Sequence, residues 1–499
     1  MAAPRKDSHR ARYGQIADAL GRHGLGYLVG VFGLERFVPF HRGLLGHPRR
    51  AQPYTQPEHI RMALEELGTT FIKLGQIVST RADLLPPDYQ AELSKLQDQA
   101  PPVPTDEIEA VITAELGQHL DTLFASFDRT PLAAASIGQA HAATLPDGTE
   151  VVVKVRRPGV VEQVEEDLEI LRNSAAAATR RWEVADRYDL VGLAEEFAQT
   201  LRAELDYIRE GRSAERFAAN FAHDPAIHIP RIFWETTTSR VLTLERIGGI
   251  KIDELGALDE AGIDRSTLAE RAARMLLQMV FDDGFFHADP HPGNFFIETE
   301  GRIGLIDFGM VGTVDEHTQQ QLVDVLLAVT SEDSNALVDA LLNLSVAGRR
   351  IDRDLLRRDL EHLQSRYYGR PLSEIALGPV LSEALGAVRR HSLHLPPNLA
   401  LLFKTIIMSE ALGAQLDPSF RLITVLVPYA QWLMLRQYSP TLWVRRFARS
   451  SLDAARLGAD LPQHVSGLIG ELERGGLEVG MRPTGFDPLL RRFEQLVNR

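Results

Sequence analysis

The chain contains no cysteine, which excludes disulfides, thiolate metal sites and cysteine nucleophiles. It has no apolar run long enough to cross a bilayer. The best stretch, Leu422–Leu435, is interrupted by Pro428 and Gln431, whereas a span needs about 20 apolar residues. It reads as a buried helix with a break. No low-complexity tract and no internal repeat stands out, and residues 1–26 lack the continuous apolar core of a secretion signal. Lysine is scarce: Lys6, Lys73, Lys95, Lys154, Lys251 and Lys404 stand among 54 basic residues, the rest being arginine. A chain that defaults to arginine needs a reason to keep the compact ammonium of a lysine at a given place. Lys73 and Lys154 have one, because each lies inside a motif.

What is present is ordinary in bulk. The 499 residues are 44% hydrophobic and 24% charged, enough for one large core or two to three domains. The net charge of −14 argues against binding nucleic acid through bulk electrostatics. Residues 1–50 run the other way, with nine Lys/Arg against three Asp/Glu, and an apolar stretch from Gly24 to Phe40 reads as a surface-lying or core-packed helix. The segment Leu442–Arg449 mixes apolar and aromatic residues with arginine; together with the basic N-terminus it predicts association with anionic membranes.

Along the chain, residues 57–98 read as helical with a break at Pro86-Pro87, followed by a linker at Pro101, Pro102 and Pro104. Thr105 and Glu107 open a capped helix. Ala140–Leu145 and Val151–Val155 read as two strands joined at Pro146-Asp147-Gly148. Residues 161–220 read as helical and 228–247 as strands. From 266 the chain is mostly helical, with an interruption around 286–313.

The sharpest signal is His287-Ala288-Asp289-Pro290-His291-Pro292-Gly293-Asn294, followed thirteen residues after Asn294 by Asp307-Phe308-Gly309. Two acids and an amide on loops at strand ends suit Mg²⁺, which takes hard oxygen ligands, and phosphate. Asp289 fits the loop acid near the acceptor, while Asn294 and Asp307 fit the metal-holding positions of protein kinases. His287, Asp289 and His291 could instead ligate zinc, although no third convincing ligand lies nearby. Upstream, Val151-Val152-Val153-Lys154-Val155 resembles the strand lysine of kinases. A buried ammonium needs a carboxylate, and Glu204, Asp206 and Glu210, on a helix read over 193–217, are the candidates. Glu204 and Asp206 are two apart and do not share a helix face, so one can meet Lys154 while the other looks elsewhere. Before the lysine strand stands Ala133-Ala134-Ala135-Ser136, where a kinase has a glycine-rich loop. Alanine allows less backbone freedom than glycine, so this loop is expected to hold nucleotide differently. A last motif, Lys73-Leu74-Gly75-Gln76, continues through Ser79, Thr80, Arg81 and Asp83. Gly75 permits close helix packing, and Lys73 and Gln76 offer a charge and an amide on nearly the same face.

Taken together, the chain resembles the UbiB/AarF family of atypical kinases. The resemblance covers roughly residues 60–430 and rests on K-x-G-Q (Lys73, Gly75, Gln76), the alanine-rich loop, the strand lysine, E-x-D (Glu204, Asp206), the His287–Asn294 loop and the Asp307-Phe308-Gly309 triplet. It implies an α+β, protein-kinase-like bilobal fold with a small β-rich N-lobe, a helical C-lobe and an added N-terminal helical extension. The implied division is a basic N-terminal segment (1–56), the extension carrying K-x-G-Q (57–125), the N-lobe (126–245), the C-lobe (246–435) and a C-terminal helical tail (436–499). Relatives often continue into a hydrophobic hairpin near the point where this chain stops.

The resemblance implies ATP and Mg²⁺ as cofactors, ATPase or phosphotransfer activity, and support of ubiquinone or other prenyl-quinone biosynthesis. Membrane lipid, prenyl-quinone precursors and quinone-biosynthesis proteins are the implied partners. The implied place is the cytoplasmic side of the inner membrane, peripheral or anchored. Asp289, Lys154 and Glu204 form the expected catalytic set. Ala133, Ala134, Ala135, Ser136, Lys154 and Glu245 are expected to bind nucleotide, and Asn294 and Asp307 the metal. Lys73, Gly75, Gln76, Glu204, Asp206 and Glu210 form the regulatory set, in which Lys73 faces the site and pairs with Glu210 or Asp206. Two other readings stand beside this one: a small-molecule kinase of the aminoglycoside or choline type, and a nucleotide-gated scaffold without turnover. A peptide kinase is disfavoured, because Met310–Val314 leads almost directly into a helix at Asp315–Val329 and leaves no room for an activation segment.

Overall fold

The computed structural model describes residues 5–25 and 54–437, apart from residues 80, 82–83, 97–99, 182–188, 331–332, 346–351, 368–370, 372–373, 392 and 394. The chain divides into two compact units, Met1–Tyr429 and Ala430–Arg499; of the second, residues 430–437 are helical. The expected apolar segment 26–40, Thr80, Asp83, the arginine-rich segment 442–449 and the C-terminal tail from 438 lie outside the described residues.

The strands are β1 (Ser126–Phe127), β2 (Ala133–Ala134), β3 (Gly138–Thr144), β4 (Glu150–Arg156), β5 (Ile227–His228), β6 (Val241–Glu245), β7 (Ile250–Lys251), β8 (Phe285–His287), β9 (Phe295–Ile297), β10 (Ile303–Leu305) and β11 (Val311–Thr313). An antiparallel sheet runs β1-β3-β4-β6, with β2 on β3; a second runs β5-β10-β9-β7; β8 and β11 form a ribbon. This is the α+β, kinase-like arrangement that the motifs imply.

Local sequence accounts for the lysine hairpin. Gly148 adopts φ 90°, a left-handed conformation that glycine takes without strain, and the Thr149 N–H donates to Asp147 Oδ1 at 2.9 Å. Val151, Val153 and Val155 are fully buried against Ile108 and Ile112 of the helix Thr105–Leu116. Strand alternation therefore turns Val152 and Lys154 to the opposite face.

The stretch 228–247 is strand only at its ends, β5 and β6, with a 3₁₀ turn at Trp234–Thr236 between them. Threonine hydroxyls explain the difference. Thr237 Oγ1 donates to the Phe233 carbonyl at 2.8 Å and Thr243 Oγ1 to the Thr236 carbonyl at 2.8 Å, so side chains take up backbone groups that a continuous strand would have paired.

The N-terminal helices are α1 (Arg5–Arg22), α2 (Gln56–Leu67) and α3 (Thr69–Ser79), with α2 and α3 separated at Gly68, φ 90°. They pack against α4 (Val160–Arg181) and α5 (Leu190–Glu204). One side of α3 buries Phe71 with Ile16, Leu20, Ala63 and Leu67, while Leu74 and Ile77 meet Val164, Leu168, Phe197 and Leu201. Arg12 ties the layer together. Its Nε and Nη2 reach the two oxygens of the fully buried Asp167 at 2.7 and 3.0 Å, and Nη2 also donates to the Leu67 carbonyl at 2.8 Å. Such two-point pairing fixes direction as well as distance.

Next comes α6 (Tyr207–Asn220), whose buried face carries Tyr207, Glu210, Ala214 and Phe217. Gly211 on that face lets α6 approach β6: a Cβ there would meet Trp234 at 3.0 Å and Leu242 at 3.4 Å. Further on, α7 (Arg265–Leu277) packs beside α8 (Pro397–Leu416) under the β8–β11 ribbon. Among the described residues α8 contains the one segment long and apolar enough to cross a membrane, Asn398–Leu416. Leu399, Leu402, Thr405, Leu412 and Leu416 of this helix are buried.

Candidate active site

The cleft face of β4 presents Lys154 to the first turn of α6. Lys154 Nζ lies 2.5 Å from Glu210 Oε1 and 3.5 Å from Asp307 Oδ2. Burial alone would lower the affinity of Lys154 for its proton, but Asp307 and Glu210 outweigh it and hold the ammonium above its ordinary range. Burial pushes the Glu210 carboxyl up, with the nearby Asp307 adding to it against the pull of Lys154. Asp307 goes the other way. Burial would raise it, but Lys154, the Gly309 N–H, His287 and Lys73 bring it down to about 2. One lysine thus stands between two acids and is held by both.

Of the three carboxylates predicted as partners of Lys154, the structure selects Glu210. Glu204 and Asp206 do not meet Lys154, because the expected single helix is broken between them. Glu204 is the last residue of α5, and Asp206 caps α6 by accepting the Ile208 N–H at 3.1 Å. Glu204 instead lies 3.1 Å from Lys73, which corrects the expectation that Lys73 pairs with Glu210 or Asp206. The Gln76 amide donates to the Leu96 carbonyl at 3.0 Å. Gly75 sits where a Cβ would come within 2.3 Å of Leu96 and 2.8 Å of Leu64, so the motif glycine admits close packing.

On the opposite wall, β8 ends at His287 and leads into the Asp289–Asn294 loop. His287 Nδ1 accepts the Asp289 N–H at 3.3 Å, which leaves Nε2 as the donor to the Asp307 carbonyl. Asn294 Nδ2 donates to the Asp289 carbonyl at 3.0 Å. The buried Phe308 ring lies 5.6 Å from Phe217 of α6 and edge-on to His287 at 6.1 Å, so an aromatic column joins the Glu210 helix, the Asp307 turn and the His287 loop. With both His287 nitrogens engaged and His291 Nδ1 accepting the Gly293 N–H, the zinc reading loses its ligands; among the described residues no group of three His, Cys, Asp or Glu is placed to hold a metal.

The residues do suit a cation that takes few protein ligands and keeps its waters, as Mg²⁺ does. Asp307 Oδ1 is oriented by the Gly309 N–H at 2.9 Å, and 47% of the side chain remains exposed toward the cleft.

Ala133 and Ala134 form β2, paired with Ala140 and Gln139. The loop that follows is tied down: Arg157 Nε donates to the Ala135 carbonyl at 2.7 Å, and Thr69 Oγ1 of α3 donates to the Ser136 carbonyl at 3.4 Å. The extension therefore touches the alanine loop directly. Glu245 ends β6 with its carboxylate turned to the Arg231 N–H at 3.1 Å and to His228 at 3.5 Å, so its side chain is engaged with the C-lobe sheet. One residue escaped sequence reasoning. Lys404 of α8 places its Nζ 3.7 Å from Asp289 Oδ1; the scarcity of lysine was the only signal for it.

The chain is similar to known proteins. Residues 95–341 match the family described as the ABC1 atypical kinase-like domain, and residues 360–421 match the UbiB helical domain. A protein of Xanthomonas oryzae pv. oryzae named probable protein kinase UbiB is 34% identical over 452 residues, covering 88% of this chain and 81% of its own length. The uncharacterized protein sll0095 of Synechocystis sp. is 35% identical over 455 residues, covering 89% of this chain and 80% of its own. Among solved structures, that of the Rv3197–erythromycin complex from Mycobacterium tuberculosis is 26% identical with a TM-score of 0.50, covering 71% of this chain and 90% of that one.

Proposed function

The chain belongs to the ABC1/UbiB family of atypical kinase-like proteins, and from that premise we propose that it binds ATP with Mg²⁺ and moves the terminal phosphoryl group to water or to a non-peptide acceptor. The observation that carries this reading is the Lys154–Glu210–Asp307 cluster facing the loop of Asp289 and Asn294. Lys154, oriented by Glu210, would bind the inner phosphates. The backbone at Ala133–Ser136 would cover them. Asp289 would take the proton of the attacking hydroxyl or water. Asp307 and Asn294 would hold Mg²⁺, which when bound neutralises phosphate charge. Most of this work is positioning and electrostatics rather than covalent chemistry by the protein.

A peptide acceptor fits poorly, because the chain passes from Gly309 through β11 into the helix Glu316–Thr330 and leaves no segment to seat one. The proposed setting is prenyl-quinone biosynthesis at the cytoplasmic face of the inner membrane, with prenyl-quinone precursors and anionic lipid as partners. The test is phosphate release from MgATP by the intact chain, alone and with cardiolipin-containing vesicles or prenylated phenols. Release that these additions stimulate supports the whole reading. Binding of MgATP with no release under any condition would favour a nucleotide-gated scaffold.

A further inference from the structure

Lys404 lies outside every motif and outside the residues matched to the kinase-like domain; it sits on α8, within the stretch matched to the helical domain. Two neighbouring side chains of that helix meet the catalytic loop. Thr405, fully buried, has its hydroxyl 2.9 Å from the Leu401 carbonyl and 3.3 Å from the Ala288 carbonyl, its single proton shared between them, which holds the loop close against the helix. Lys404 then reaches Asp289 at 3.7 Å. That separation is an ion pair and too long for a hydrogen bond, so the ammonium keeps its three donors. Lys404 and Asp289 side chains are 24% and 35% exposed, so both are accessible to solvent.

We propose that Lys404 is a catalytic residue that holds the phosphoryl group in flight on the acceptor side, a role resting on the nucleotide reading above. In that step the acceptor oxygen forms a bond to the γ-phosphorus while its proton passes to Asp289. The bond from the γ-phosphorus to the bridging oxygen breaks, and its electron pair leaves on ADP. Charge spreads over the three equatorial oxygens of the group in transit. Lys154 serves the nucleotide side of this line; beside Asp289, on the acceptor side, Lys404 is the cation. A compact ammonium with rotatable donors suits that task better than the planar fork of arginine, which accounts for a lysine being kept here in a chain so poor in it. The helical domain thereby contributes a side chain to the chemistry instead of only supporting the kinase-like domain.

The test is binding of MgADP and of MgADP with aluminium fluoride, a mimic of the transferring phosphoryl group, to the intact chain and to Lys404→Met and Lys404→Arg, with melting temperatures measured alongside. The expected result is that Lys404→Met binds MgADP within about twofold of the wild type but loses roughly tenfold or more in the affinity gained on adding aluminium fluoride, the scale of losing one transition-state donor. Lys404→Arg should recover part of the loss. Unchanged fluoride-dependent affinity in Lys404→Met would overturn the proposal. So would a loss that falls equally on MgADP, since that would give Lys404 a structural role. A wild-type chain that binds no MgADP would overturn the nucleotide reading itself, and the proposal with it.

Discussion

Lys73 Nζ stands 3.1 Å from Glu204 Oε2, and this pair joins the third N-terminal helix to the last residue of α5, immediately before the helix that carries Glu210. The two side chains are 14% and 8% exposed, so the pair lies in a medium where losing one partner is costly. Lys73→Ala and Glu204→Ala should each lower the unfolding free energy by on the order of 3 kcal/mol. The double variant should cost clearly less than the sum. Urea unfolding of the four proteins gives the coupling directly; strictly additive losses would show that the two residues do not act as a pair.

Gly75 provides a second handle on the same helix. A methyl group on its Cα would lie 2.3 Å from Leu96 and 2.8 Å from Leu64, so Gly75→Ala must displace both leucines. Overpacking of this kind costs about 1–3 kcal/mol. The helix gain of alanine over glycine, about 1 kcal/mol, offsets part of it. Net destabilisation in a thermal melt, together with altered nucleotide affinity through the Thr69–Ser136 contact, is the expected outcome. A variant more stable than the wild type would contradict the packing argument.

The Asp307 carboxyl has a pH signature. Its value in the folded chain, about 2, lies below the ordinary 3.8, so it contributes stability that is fully present above about pH 4 and is lost as the pH falls toward 2. Asp307→Asn removes that contribution. The difference in melting temperature between the wild type and this variant should therefore be constant from about pH 7 to 5 and shrink between about pH 4 and 2.5. A difference that grows on acidification would mean that Asp307 is not held in its charged form by Lys154.

Much of this site was legible in the chain because the relevant signals are local. Asp147-Gly148 forces the hairpin that aims Lys154, and the alternation of Val151, Val153 and Val155 puts that lysine on the open face. The His287–Asn294 and Asp307–Gly309 motifs occupy short strand ends whose spacing survives folding intact. Pairing between distant elements was less legible. Glu204, Asp206 and Glu210 lie within one turn or two of each other in sequence, and only the break at Leu205 decides that Glu204 serves Lys73 while Glu210 serves Lys154. The first helix was hidden because its composition is polar; what anchors it is a short apolar stripe, Ile16 and Leu20 among it, together with the long-range pair of Arg12 and Asp167, which no periodicity reveals. Lys404 was hidden for the opposite reason: its helix reads as pure core.

At the centre of the proposed function is a Mg²⁺-dependent nucleotide site organised around Asp307. Isothermal titration of ATP into the wild type and Asp307→Asn, each with and without Mg²⁺, tests it most directly. Wild-type binding should depend on Mg²⁺, and Asp307→Asn, still folded, should lose this dependence together with roughly tenfold or more of the affinity, as expected for removal of a charged metal ligand. An Asp307→Asn protein that binds MgATP with unchanged affinity and unchanged Mg²⁺ dependence would contradict it.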